Sequence, residues 1–167
     1  PAGTTPVYVA PDGEVIESSD EIVALADEIG PDKNVRLYQE DNPYWVGSVA
    51  AVGPVFGAFA QWMKNKDDDN EEKLRGELLG ALEAVESQIG KSGGPFLLGK
   101  EVSALDCNFG PKLHHIFFSG KHYKKFDLPE RFENLRLYMS AWTETPEWNA
   151  SSCPEKTVVW GWSKFFK

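Results

Sequence analysis

Two cysteines, Cys107 and Cys153, are the thiols on which covalent or redox chemistry could run in this chain. Cys107 falls in the first turn of a candidate helix, where unpaired N–H groups can depress a thiol pKa. Its neighbours Leu105 and Phe109 nevertheless predict a buried structural thiol. Cys153 lies in a polar stretch and is expected to be exposed, with no base nearby. His114 and His115 adjoin, so on a helix they point about 100° apart and do not readily face one metal. Cys107 and His114 share a face but sit two turns apart, too far for joint ligation without a third group. No metal site and no catalytic residue is assigned. The basic run Lys121 to Lys125 reads as a solvated loop, and Trp160 and Trp162 read as packing residues.

Two further groups have the spacing of helix starts. In Ser103-Ala104-Leu105-Asp106 the spacing is that of a capping box. The Ser side chain accepts from the backbone of the third helical residue, and the acid reaches back to the Ser N–H. Glu17-Ser18-Ser19-Asp20 offers several caps for an earlier helix. Its exposed N–H groups also suit a carboxylate ligand.

Composition limits the classes open to such a chain. It has 167 residues, 41% of them hydrophobic and 26% charged, with six Trp and ten Phe. That suits one domain, or one domain with part of another, and a core of broad aromatic contacts. A formal net charge of −9 argues against nucleic acid, whose phosphates need a basic face. Two cysteines make no disulfide framework and suggest a reducing compartment. The longest apolar run, Val49 to Met63, falls short of the ~20 residues of a membrane span, so no transmembrane segment is expected.

Along the chain, Thr5–Ala10 predicts a strand, Pro11-Asp12-Gly13 a tight turn, and Glu14–Ile16 the returning strand. A helix follows with Ile22, Leu25, Ala26 and Ile29 as its apolar stripe, ended by Gly30-Pro31. Residues 31–43 form a polar linker. Tyr44–Lys66 predicts a long helix bent at Gly53-Pro54. After the acidic turn Asp67–Asn70, a helix over Glu71–Lys91 carries Leu74, Leu78, Leu82, Val85 and Ile89 on one face. The Ser103 helix is expected to kink at Pro111. Pro129 is expected to open a helix carrying Phe132, Leu135, Tyr138, Met139 and Trp142, and Pro154-Glu155 the last helix.

The run Ser103–Ile116, SALDCNFGPKLHHI, resembles the sixth helix of the glutathione transferase superfamily, whose capping box has the same place. Asp106-Cys107-Asn108 and Pro111-Lys112-Leu113-His114 are similar to two branches, the dehydroascorbate reductases and the chloride intracellular channel proteins. Val46-Gly47-Ser48, Gly94-Pro95-Phe96 and Gly161-Trp162 resemble the reductases, whereas Cys153-Pro154 resembles the channel proteins. The resemblance implies a mostly α fold, with residues 1–30 as a partial thioredoxin-like ββα unit and 44–167 as the all-helical C-terminal domain.

It also implies a site. Pro6 matches a cis-proline, Val7 a residue whose backbone pairs with the cysteinyl part of glutathione, and Glu17 and Ser18 the pair holding its γ-glutamyl end. Glutathione would be the co-substrate and dehydroascorbate the substrate. Glu21 departs from the pattern, which usually has an aliphatic residue three places after the Ser. The family's nucleophilic cysteine opens a first helix that would precede Pro1, so the chain as given is expected not to turn over. The alternative is a non-catalytic subunit of a larger assembly. Either way, the open edge of the hairpin is expected to be covered by a preceding segment or by a protein partner.

Overall fold

A computed structural model describes residues 7–30 and 37–166. The chain divides into two compact units, residues 1–39 and 40–167.

The first unit is a hairpin and a helix. Strands β1 (Tyr8–Val9) and β2 (Val15–Ile16) pair antiparallel, with Tyr8 opposite Ile16 and Val9 opposite Val15. Ala10 N–H donates to the Glu14 carbonyl at 2.8 Å and Gly13 N–H to the Ala10 carbonyl at 2.9 Å. Gly13 holds φ +93°, a conformation that favours glycine and closes a three-residue loop. Helix α1 (Ser19–Ile29) follows, with Ser18 as its N-cap. Asp27 fastens the chain beyond α1 by accepting from Leu37 N–H at 3.0 Å and Tyr38 N–H at 3.3 Å. The strands are shorter than the sequence suggested, and Thr5 and Pro6 lie outside the described residues. Ile22 and Leu25 are half-buried as the stripe predicts, whereas Ala26 and Ile29 are exposed.

The second unit is helical, and its core forms where α2 (Trp45–Lys64) packs along α3 (Glu71–Ser92). Val55, Phe59, Trp62 and Met63 meet Leu78, Leu82, Val85 and Ile89 in one buried cluster. Helix α2 runs through Pro54 and reaches 20 residues with a mean hydropathy of 1.3, long and apolar enough by composition to cross a membrane. This corrects the length read from the apolar run alone. Its buried face, Ser48, Ala51, Val55, Phe59, Trp62 and Met63, is packed inside the helical unit. At its far end Glu71 accepts from Trp62 Nε1 at 2.8 Å and Asn65 Nδ2 at 2.9 Å, and pairs with Lys124 Nζ at 2.9 Å. Burial opposes ionisation of Glu71, but these partners outweigh it and hold its carboxyl below the usual value.

Helix α4 (Ala104–His115) continues into a π-helical turn (Ile116–Gly120) and then α5 (Lys121–Lys124). The predicted loop at Lys121–Lys125 is therefore helix until Lys125, which stops it with φ 54°. Sequence polarity misled here, because Lys124 is drawn inward by Glu71 rather than left in solvent.

Helix α6 (Glu133–Glu144) begins after Pro129, not at it, and its N-cap Phe132 supplies no side-chain cap. The cap comes from α3: Glu86 accepts from Asn134 N–H and Leu135 N–H, each at 2.8 Å. Tertiary capping of this kind has no local sequence signal. Helix α7 (Pro146–Ser151) was not foreseen, although Thr145 capping Trp148 N–H and Pro146 at the first position are its signature. Helix α8 (Glu155–Trp162) ends the unit. Trp162 packs in the core, whereas Trp160 is 74% exposed and does not.

The capping box at Ser103 closes the core. Asp106 Oδ2 accepts from Ser103 N–H at 2.8 Å and from its hydroxyl at 2.6 Å, while Oδ1 accepts from Leu97 N–H at 3.0 Å. Burial pushes the Asp106 carboxyl upward, against the pull of those donors. Gly94 is required beside it, because a Cβ there would sit 2.0 Å from the Gly99 carbonyl oxygen. We predict that Ser103→Ala costs about 0.5–2 kcal/mol through loss of the cap. Asp106→Ala should cost more, since it strands two backbone N–H groups at about 1–3 kcal/mol each. Denaturant unfolding of both variants tests this, and equal midpoints for wild type and Asp106→Ala would contradict it.

Candidate functional site

Three of the residues expected to hold a ligand, Val7, Glu17 and Ser18, meet at one end of the hairpin. Because Tyr8 faces Ile16, the next step of the same register sets Val7 beside Glu17, and Ser18 follows directly as the α1 cap. Val7 is 39% exposed, and Glu17 and Ser18 are exposed. The Ser18 hydroxyl accepts from Glu21 N–H at only 3.4 Å, which leaves its proton free to donate outward. Turning the start of α1 toward solvent gives a backbone N–H end suited to a carboxylate, with the Glu17 acid beside it suited to an ammonium. Pro6 lies outside the described residues. Glu21 is exposed at the first turn, and Ile22, the next residue, takes the half-buried position.

The thiols belong to the helical unit, and one is not as buried as the sequence suggests. Cys107 is exposed, not buried. Asp106, Phe109 and Gly110 turn inward, while Cys107, Asn108 and Pro111 form the outer stripe of α4. Apolar neighbours in sequence point about 100° away on a helix, so they say little about burial. Desolvation by its surroundings, with Asp106 and Glu147 adding negative charge, still raises the Cys107 thiol above its ordinary value. A group held protonated in this way is a poor first nucleophile. Cys153, on the connector after α7, is exposed.

The two histidines go separate ways. The His114 ring lies 4.5 Å from the Phe118 ring and 5.0 Å from that of Trp148, whereas His115 Nδ1 accepts from Trp162 Nε1 at 3.0 Å. Among the described residues no group of three or more His, Cys, Asp and Glu is arranged to hold a metal. The sequence marks Trp142 only as an apolar residue of its helix and does not mark Trp148, yet both wall the region beside Cys107. A signal existed in Gly110, whose missing side chain admits the Trp142 indole; a Cβ there would lie 2.3 Å from the ring.

Comparison with known proteins decides the family. Residues 60–141 match the glutathione S-transferase C-terminal domain. Glutathione S-transferase DHAR2 of Arabidopsis thaliana is 34% identical over 164 residues, covering 97% of this chain and 71% of that protein. The chain belongs to the glutathione S-transferase family. A probable glutathione S-transferase DHAR1 of rice, named as cytosolic, is 30% identical over 165 residues, covering 98% of this chain and 72% of that protein. The crystal structure of Chlamydomonas reinhardtii dehydroascorbate reductase superposes with a TM-score of 0.81 at 25% identity, covering 98% of this chain and 73% of that one. The branch is therefore that of the dehydroascorbate reductases, and the fold is the mostly α one of the family.

Burial lowers the pKa of both His114 and His115 below 6.5, with His115 adding to the effect on His114. A histidine kept neutral in the fold stabilises it fully above the unfolded value. The contribution is lost as pH falls below about 6.5 towards the folded value, because the unfolded chain then binds more protons. Thermal midpoints should therefore drop between about pH 7 and pH 5, and His114→Leu should reduce the drop. The same drop in both proteins would contradict this role for His114.

Proposed function

We propose that the chain works in glutathione-dependent reduction of dehydroascorbate, and that its ββα unit is the glutathione-binding part. In this reading Pro6 and Val7 face the cysteinyl portion of glutathione, and Val7 offers its backbone. Glu17 pairs with the γ-glutamyl ammonium, and the Ser18 hydroxyl and the first N–H groups of α1 receive the γ-glutamyl carboxylate. The net reaction takes two electrons and two protons from two glutathione thiols, giving ascorbate and glutathione disulfide. It passes through a mixed disulfide that the second glutathione resolves. The observation that carries this reading is the register that sets Val7 beside Glu17 at the start of α1, in a chain related to dehydroascorbate reductases.

Neither Cys107 nor Cys153 is assigned as nucleophile. Both belong to the helical unit, and the Cys107 thiol is held up rather than activated. The compartment we infer is a reducing one, the cytosol in keeping with the rice relative or else the chloroplast stroma. A second reading, a non-catalytic subunit, is favoured by one feature. No described side chain of residues 7–30 and 37–39 whose burial is known is fully buried, and Val9, Val15 and Ile29 are each more than half exposed. Such a surface suits a covering segment or a protein partner.

The test is a calorimetric titration of the chain with S-methylglutathione, which binds without thiol chemistry. Saturable binding is expected, weakened about tenfold or more by Glu17→Gln and by Ser18→Ala, with Ser18→Asn retaining the helix cap as a folding control. Binding that both variants leave unchanged would contradict this site. In a coupled assay, turnover abolished by Cys107→Ser or Cys153→Ser would contradict the exclusion of those thiols.

A further inference from the structure

Within the helical unit, one pocket gathers both thiols. It has a volume of about 300 Å³ and opens between α4, the end of α6, α7 and the 152–154 connector, with Cys107, Pro111, His114, Trp142, Trp148 and Cys153 among its walls. Both cysteines are free and exposed. Two of its wall residues carry polar atoms buried without a partner behind the pocket surface. His114 is only 7% exposed, yet neither of its ring nitrogens has a partner, and Trp142 Nε1 has none either.

We propose that Cys107 and Cys153 form a dithiol oxidation site, which a small peptide disulfide such as oxidised glutathione converts, through a mixed disulfide, into an intramolecular disulfide. This is independent of glutathione binding at the ββα unit. Cys153 reacts first, because it sits on the non-helical connector Ser152–Pro154 between α7 and α8, while Cys107 is fixed on the core helix. Its thiolate attacks one sulfur of the small disulfide. The S–S bond breaks, one peptide thiolate leaves, and it takes up the proton that Cys153 shed. The Cys107 thiolate then attacks Cys153 Sγ and expels the second peptide thiol. Two protein thiols are oxidised and one small disulfide is reduced to two thiols.

The roles follow from the surroundings. Desolvation by the pocket walls and the Asp106 and Glu147 carboxylates raise the Cys107 thiol, which suits it poorly to a bimolecular attack. A thiolate of higher pKa is the stronger nucleophile once formed, and in the second step its target is held in the same pocket. Disulfide geometry needs the two Cα atoms within about 4.4–6.8 Å, and any adjustment falls on the connector rather than on α4.

The experiment treats the reduced chain with oxidised glutathione, quenches with acid, and reads intact mass and non-reducing peptide maps over time. Expected is the loss of two hydrogens, with the Cys107 and Cys153 peptides linked and the link reversed by dithiothreitol. Cys107→Ser should stop at one stable glutathione adduct on Cys153, and Cys153→Ser should react at least tenfold more slowly. A stable adduct on the wild-type chain without a Cys107–Cys153 link would overturn the proposal. So would dimers joined through Cys153, or a wild-type chain left fully reduced.

Discussion

The fold turns on one buried carboxylate. Asp106 has no solvent exposure, and it accepts from Leu97 N–H, Ser103 N–H and the Ser103 hydroxyl. Each bond joins a different necessity. The Ser103 contacts start α4, and the Leu97 contact holds the turn that follows α3 against it. The backbone carbonyl of the same residue faces Tyr138 Oη of α6 at 3.5 Å. Without this carboxylate the start of α4 and the turn after α3 would lose their common anchor, and two backbone donors would be buried unpaired. That turn is fixed from the other side by Ser48, whose hydroxyl donates to the Leu97 carbonyl at 3.0 Å, and by Gln88, which donates to Tyr44 O and Ser48 Oγ. A chain of polar contacts thus runs through a core that is otherwise aliphatic and aromatic.

The two units divide the labour by stability. Residues 40–167 hold the fully buried apolar side chains, from Val55 on α2 to Trp162 on α8. In the first unit the described side chains are at most half-buried, and its fold rests on a two-residue strand pair, the Ser18 cap and the Asp27 contacts. Segments with few buried contacts open at low free energy, and ligand-binding elements are commonly drawn from them. A ligand seated at the start of α1 would bind only the ordered form, so it would tighten this unit as well as occupy it.

What could be read from the sequence, and what could not, follows from whether a signal is local. The Ser103–Asp106 box, the α3 stripe and the Pro11-Asp12-Gly13 turn are set by residues within a few positions of one another, and they appear as expected. The start of α6 was misread at Pro129 because its cap, Glu86, comes from a different helix. The Lys121–Lys124 helix was missed because the pairing of Lys124 with Glu71 is tertiary. Cys107 was misjudged for a simpler reason: its apolar sequence neighbours lie on other faces of α4. Of the candidate site, Glu17 and Ser18 were legible as a helix start. That Val7 lies beside them depends on strand register, which the turn fixes but the residue types alone do not reveal.

Native-state hydrogen exchange tests the central role of Asp106 most directly. If its carboxylate anchors the helical unit, the amides of Leu97 and Ser103 exchange only through global unfolding. Their exchange free energies then match those of the α2 and α3 core and fall with added denaturant along the same slope. Leu97 and Ser103 amides that exchange through a separate, denaturant-independent opening well below the global value would contradict the account.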